Sequence, residues 1–574
     1  MLHPILELSD LNVILVAFSL YALIVGFISL KVKQKWYLGE ALPALVTGII
    51  FGPSGANFLK VPHPGGNKSE TTTSEITYAL ARLVIGIQLV KAGYELPKKY
   101  LKRRLKEMTI CLLPLMAIGW ITTSACIKLM IPRISFLAAL IIGSCVTCTD
   151  PILSQAIAKG PFADNYVRRH LREFISSEAG ANDGFGFPFL LLGVSILRYA
   201  DTPVNAIVFE EFDLAKGGPD LLGATDVGRF GGGSGTALKH WFVEGFLYMI
   251  VLGTVYGVVV GYVCRKFLNL STKKKWIDPG CFTLVPVALG AFIVGSCGCF
   301  GSDETLACFI AGSMLNWDGL YHAELQMRHD SFNSALETAL NYGTFGYLGA
   351  VLPWGEFSLP DTTGITVPRL LGLGVLILLF RRIPAIMAGY RFMPEVCASW
   401  KEALFMGHFG PIGVGAIAYV EYARRLFPEP GESDREINNL TAAMRPVVYW
   451  LVLFSVIVHG LSVPILYMFY KALKVPKICD HPVEVVLLSK NEPLPSNSTA
   501  DRQRHSVMIN NRFSEPIGPD EASDEEKGPS DPRESTERIR SQSERGSTSY
   551  DMGPSISHES TQRLNHEAST REMV

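Results

Sequence analysis

The residues most able to do chemistry lie within one apolar stretch, Ser176-Ser177-Glu178-Ala179-Gly180-Ala181-Asn182-Asp183-Gly184, which sets two carboxylates and an amide inside an otherwise helical hydrophobic run. On a helix, Glu178 and Asn182 are four apart and share a face, while Asp183 lies about 100° round from Asn182 and meets a different neighbour. A charge held at mid-bilayer is costly, so it faces a protein interior or a water path. Oxygen groups of this kind can bind a cation or a proton. The plainer alternative is an internal ion pair that only fastens helices. It suits Glu178 and not Asp183, which has no basic residue one helical turn away.

A second group of residues sits at predicted helix breaks. In Cys145-Val146-Thr147-Cys148-Thr149-Asp150-Pro151 the proline removes a backbone donor and disfavours helix at the residue before it. Carbonyls and N–H groups freed at that depth need polar partners. Asp150 can balance the positive end of the following half-helix, and Thr149 offers a hydroxyl and a carbonyl. His408-Phe409-Gly410-Pro411-Ile412-Gly413-Val414-Gly415 is a second Gly/Pro interruption, seven apolar stretches later. Seven is odd, so the two broken helices run in opposite directions, as in an inverted-repeat transporter.

Weaker signals surround these. Phe380-Arg381-Arg382-Ile383-Pro384 puts arginines at depth, where one needs a carboxylate. Glu178 is the natural partner for Arg382, and snorkelling to the interface is the alternative for both arginines. Asp303 and Glu304 either line an ion entrance or cap a helix N-terminus. Ser177 is a further candidate on the ion pathway. His408 reads as an interhelical hydrogen-bonding group. Cys145/Cys148 and Cys297/Cys299 lack the histidines or second cysteine pair of a four-ligand metal site.

The elements that must position these groups follow from the composition. Of 574 residues, 48% are hydrophobic and only 18% charged, with a net charge of -1, which argues against nucleic-acid binding. Residues 473–574 hold 31 of the 105 charged side chains, so a charge-poor body precedes a charge-rich tail. The body, 1–472, contains stretches long enough to cross a bilayer. Thirteen are predicted, near 11–30, 37–53, 74–95, 108–130, 135–158, 173–197, 241–264, 279–300, 303–317, 332–352, 366–389, 397–420 and 446–470. The second and ninth are short, which leaves twelve open.

Lysine and arginine crowd alternate loops, with six in 96–107, three in 31–36 and five in 265–275. That side is expected to be cytoplasmic, with the tail inside. Loop 421–445 carries Arg424, Arg425, Arg435 and Arg445 against this trend. Loop 198–238, with its Gly231–Gly235 run, reads as a flexible external loop. The tail, rich in Ser, Pro and charge, is expected to be disordered and regulatory, with a basophilic kinase motif ending at Ser506.

The motifs Thr149-Asp150-Pro151, Ser177 to Gly184, Arg382 and Gly410-Pro411-Ile412-Gly413-Val414-Gly415-Ala416 together resemble the fungal plasma-membrane sodium/proton antiporters of the monovalent cation:proton antiporter superfamily. The resemblance covers nearly all of 10–470. It implies an all-α polytopic membrane protein with about thirteen transmembrane helices, an inverted-repeat fold with crossed, unwound fifth and twelfth helices, and a homodimer.

It also implies roles. Asp183 would hold Na⁺ or a proton in turn, Asn182 would order the site, Thr149 would help coordinate, and Asp150 would balance the broken-helix ends. Glu178 with Arg382 would be a structural pair. Relatives often place Ser directly after the Glu; here Ala179 removes that hydroxyl, and water, Ser176 or Ser177 would substitute.

The implied activity is exchange of Na⁺, Li⁺ or K⁺ for H⁺ without ATP or cofactor, serving salt tolerance and pH homeostasis. Asparagine before Asp183, rather than a second aspartate, hints at one-for-one exchange. A K⁺/H⁺ exchanger, a cation channel and a transport-inactive sensor with a signalling tail are the alternatives. No nucleophile–base spacing suggests an enzyme.

Overall fold

The computed structural model describes residues 10–58, 67–158, 161–200, 228–327, 331–429 and 431–478, and three strands beyond them. Each of the thirteen expected spans contains a helix or a pair of half-helices. Among the described residues eight helices are long and apolar enough to cross a membrane, and the shorter apolar ones are Ala41–Phe51, Phe136–Cys145 and Glu304–Leu315. The sixth span is Arg169–Arg198, the ninth Glu304–Leu315 and the thirteenth Arg435–Ala472.

Three spans are interrupted. The fifth divides into Phe136–Cys145 and Pro151–Ala158, and the twelfth into Trp400–His408 and Val414–Arg424. The eleventh, read from sequence as unbroken over 366–389, also divides, into Val367–Phe380 and Ile383–Gly389. Pro384 explains this, since its ring would clash with the carbonyl of Phe380 in a continuous helix. Arg381 and Arg382 therefore stand at a break rather than along a helix.

The spans sort into two packed groups. The second lies on the tenth, the third on the eighth and ninth, and the seventh on the ninth. The fourth lies on the fifth and eleventh, the fifth on the sixth and thirteenth, and the twelfth on the thirteenth. The sixth meets the seventh and ninth, and the third meets the twelfth, so these three contacts join the groups.

Three of the four arginines of loop 421–445 have local uses. Arg424 Nη1 lies 3.3 Å from Glu421 Oε2, and Arg445 Nη1 lies 2.9 Å from Glu356 Oε1. Arg425 stacks 4.3 Å over the Tyr78 ring.

The Gly-rich run is not wholly loop either. Gly232, at φ 102°, opens a helix at Gly233–His240 that runs on into the seventh span. Residues 201–227 of that connection lie outside the described residues.

The tail holds one piece of order. Strands β1 (Val483–Val486), β2 (Ser498–Asp501) and β3 (Ser506–Ile509) pair antiparallel in the order β1-β3-β2. The alternating valines of Val483-Glu484-Val485 supply strand-forming residues. Upstream, the Ile478 N–H donates to the Asn165 carbonyl at 2.8 Å. The remainder, including Arg502 to His505 of the kinase motif, lies outside the described residues.

The thirteenth span is anchored at its start. Asp434 caps it, accepting from the Glu436 and Ile437 N–H groups, and Arg229 Nε reaches Asp434 Oδ2 at 2.7 Å with both side chains buried. Removing one partner of a buried pair costs about 3–5 kcal/mol. Arg229→Ala should therefore lower the melting temperature and folded yield in detergent, read by fluorescence-detected size exclusion.

Candidate functional site

The unwound segments 146–150 and 409–413 cross, and their backbone groups find partners there. The Asp150 N–H donates to the Pro411 carbonyl at 2.9 Å. Asp150 Oδ2 accepts from the Val414 N–H at 2.6 Å and Oδ1 from the Leu153 N–H at 2.9 Å. One carboxylate thus serves the positive ends of both second half-helices, Pro151–Ala158 and Val414–Arg424.

Arg381 does the converse. Its guanidinium donates to the carbonyls of Val146 and Cys148 and to that of Gly410, at the negative ends of both first half-helices. The residue is 4% exposed, so neither snorkelling nor a carboxylate partner describes it. Its role was not legible in the sequence because no spacing rule links position 381 to carbonyls at 146, 148 and 410.

Two glycines make the crossing close enough. A Cβ on Gly413 would stand 2.2 Å from Asp150 Oδ2, and one on Gly415 would stand 2.9 Å from Asp183 Oδ1. The first would displace the carboxylate from the Val414 N–H.

The sixth span supplies the other side. Asn182 Oδ1 accepts from the Thr149 N–H at 3.0 Å, and its Nδ2 donates to Thr149 Oγ1 at 2.8 Å and Glu178 Oε1 at 3.2 Å. The amide therefore ties the fifth-span break to the sixth helix. Arg382 Nη1 donates to Glu178 Oε1 at 2.8 Å, and Nη2 reaches Oε2, a two-pronged pair.

Asp183 is different. It is 1% exposed, and among the described residues neither carboxylate oxygen has a hydrogen-bond partner. Tyr419 donates its hydroxyl to the Asp183 backbone carbonyl, leaving the side chain untouched. Asp150 and Asp303 are within electrostatic reach. A buried carboxylate left so is expensive unless something else occupies it.

A small cavity reaches Asp183 among Tyr78, Arg82, Glu304, Thr305 and Gly415. A second, among Thr147, Glu178, Asn182, Arg381 and Arg382, reaches the other face of the crossing. The first lies toward the span ends remote from the lysine-rich loops, the second toward those loops.

Asp303 is a helix cap, its Oδ1 accepting from the Thr305 and Leu306 N–H groups at 2.9 and 3.0 Å. Glu304 pairs with Arg82 and lines the first cavity. Ser177 turns to Met108 Sδ at 3.7 Å and lines neither cavity. His408 Nε2 meets Ser462 Oγ at 3.1 Å, an interhelical contact. Arg82 was missed, although a lone arginine within the apolar third span carries the same signal that singled out Arg382.

Comparison with known proteins agrees with this architecture. Residues 18–469 match the family model described as sodium/hydrogen exchanger, transmembrane. This chain belongs to that family.

A probable Na⁺/H⁺ antiporter of Schizosaccharomyces pombe is 36% identical over 460 residues, 77% of this chain and 55% of the relative. A Na⁺/H⁺ antiporter of Saccharomyces cerevisiae is 33% identical over 473 residues, 80% of this chain and 44% of the relative. The chain thus spans about half the length of these curated relatives. The sodium proton antiporter of Methanocaldococcus jannaschii has a similar fold, with a TM-score of 0.50 at 16% identity, covering 79% of this chain and 98% of that one.

In this exchanger-family chain, Gly413→Ala should force Asp150 off the Val414 N–H. A buried N–H left unpaired costs about 1–3 kcal/mol, which a thermal melt in detergent would register. Glu178→Ala should cost up to about 3–5 kcal/mol by leaving Arg382 uncompensated. The Glu178→Ala/Arg382→Ala double variant should recover part of that loss in the same melt.

Proposed function

We propose that the protein is a secondary antiporter exchanging Na⁺, and Li⁺ by the same chemistry, for H⁺, with Asp183 as the group both ions occupy. One observation carries this reading: a buried carboxylate with both oxygens unpartnered beside two crossed helix breaks. A desolvated carboxylate takes up either a proton or a bare cation. Thr149 and Asn182 lie on the adjoining face and offer further oxygens. Asp150 and Arg381 keep the broken ends neutral, and Glu178 with Arg382 closes the ion balance around them.

Coupling follows if the site changes sides only when one of the two ions is bound. The cavities on either face of the crossing suit alternating access, with the group carrying the fifth, sixth and twelfth spans moving against the other. The relatives' names support sodium and protons as substrates. By the same resemblance the protein works as a plasma-membrane homodimer in salt tolerance and pH homeostasis, its tail cytoplasmic and open to a kinase or regulatory partner. The alternative of a K⁺/H⁺ exchanger of the same fold would use the same site.

The test is cation-induced pH change in proteoliposomes, with Na⁺, Li⁺ and K⁺ added in turn. Asp183→Asn should abolish proton movement while leaving folded yield unchanged. The wild type should show a higher apparent KM for Na⁺ as pH falls, because protons compete, with the maximal rate unchanged. Transport retained in Asp183→Asn would overturn the assignment. A folded wild type that moves no protons would favour a channel or a sensor.

A further inference from the structure

We infer that Ser455 and His459, on the thirteenth span, are positioning residues for the cation site. They splint the unwound segment of the twelfth span so that Val414 stays on Asp150 and Gly415 stays against Asp183.

The starting point is an account of backbone groups at 408–414. On one side of the segment, Arg381 takes the Gly410 carbonyl, the Asp150 N–H takes the Pro411 carbonyl, and Asp150 Oδ2 takes the Val414 N–H. That leaves the Ile412 N–H, in the middle of the segment, and the second lone pair of the His408 carbonyl, which already accepts from the Gly410 N–H at 3.0 Å. The thirteenth span supplies both. The Ile412 N–H donates to Ser455 Oγ at 2.7 Å. His459 Nε2 lies 3.0 Å from the His408 carbonyl. Ser455 and His459 are four residues apart, so they share one helix face, and they are 4% and 6% exposed.

The two ring nitrogens face two carbonyls, Nε2 that of His408 at 3.0 Å and Nδ1 that of Ser455 at 2.9 Å, and the tautomer protonated at Nε2 is the one that donates to His408. In a neutral ring Nδ1 then accepts, and Ser455 Oγ, 3.1 Å away, can donate to it while accepting from Ile412. The chain runs Ile412 N–H to Ser455 Oγ–H to His459 Nδ1, then His459 Nε2–H to His408 O. A second ring proton would turn Nδ1 to the Ser455 carbonyl at 2.9 Å and leave both outer bonds in place. Either way, one serine and one histidine hold the two sides of the break at a fixed separation.

That separation matters to the ion. Ile412 is two residues from Val414 and three from Gly415. A Cβ on Gly415 would stand 2.9 Å from Asp183 Oδ1, so there is no slack there. Freeing the Ile412 N–H lets the segment drift away from the carboxylate. The cost falls on cation affinity rather than on assembly of the fold.

The inference rests on the proposed role of Asp183, so the test has one readout that depends on transport and one that does not. In proteoliposomes of the full chain with Na⁺ as the probe, Ser455→Ala should raise the apparent KM about five- to tenfold, as a lost buried hydrogen bond would. Its maximal rate should stay near wild type, and Ser455→Thr, which keeps the hydroxyl, should restore the affinity. Backbone amide exchange over 409–415 should quicken in Ser455→Ala and in His459→Leu, and stay unchanged in Asp183→Asn.

If Ser455→Ala does not accumulate, the histidine variants decide. His459→Gln keeps a donor for His408 and should remain near wild type in both readouts, whereas His459→Leu should not. An unchanged KM and unchanged amide exchange would overturn the inference. So would a fall in maximal rate and folded yield with no change in KM, which is the mark of a merely structural role. If Asp183→Asn still exchanges ions, the role given to Asp183 fails, and amide exchange alone still judges the splint.

Discussion

Backbone groups have no water to turn to inside a bilayer. A helix satisfies them within itself, and any break must find each freed N–H and carbonyl a partner in the protein. This chain breaks two helices at one place and a third beside them. Much of its polar inventory there answers that demand. Asp150 serves two helix N-termini, Arg381 serves two C-terminal ends, and the segments bond to each other between Asp150 and Pro411. The arrangement also balances charge, with an anion at the positive ends and a cation at the negative ones.

The remaining ionisable groups follow from that frame. Glu178 and Arg382 neutralise each other, and Asn182 links the pair to Thr149. Glu304 is matched by Arg82, and Asp303 is largely spent as a cap. Asp183 is left over, with two oxygens that the protein does not bond. On the proposed mechanism this surplus is the function. A carboxylate already satisfied by the fold would have little to gain from an ion, and one open to water would bind sodium weakly. Among the described residues the frame supplies no partner for those oxygens, and on the proposed mechanism so reserves the group for cargo.

The packing of the spans gives this frame something to move against. The broken fifth and twelfth helices, the sixth and the thirteenth belong to one packed group, and the third, eighth and ninth to the other. Contacts between the groups include Ser74 with Glu421 and Arg425 over Tyr78, close to the cavity that reaches Asp183. The small residues of the twelfth-span break serve the same economy, because side chains at 413 or 415 would occupy space needed by the carboxylates.

The sequence by itself determined a great deal. Apolar length placed thirteen spans, since the bilayer sets how many residues a crossing needs. Proline and glycine placed two of the three breaks, because ring geometry and missing donors act locally. The four-residue step from Glu178 to Asn182 placed both on one face. The third break was within reach from Pro384 but was masked by the hydrophobic run around it. Tertiary structure alone decided which groups meet. Arg381 lies far along the chain from Val146 and Cys148, and Ser455 far from Ile412, and nothing local encodes such pairs. It also decided that Ser177 faces Met108, since a side chain's neighbours depend on how distant helices pack. Residue type says what chemistry a group can do; only the fold says which partner arrives, and which carboxylate is left without one.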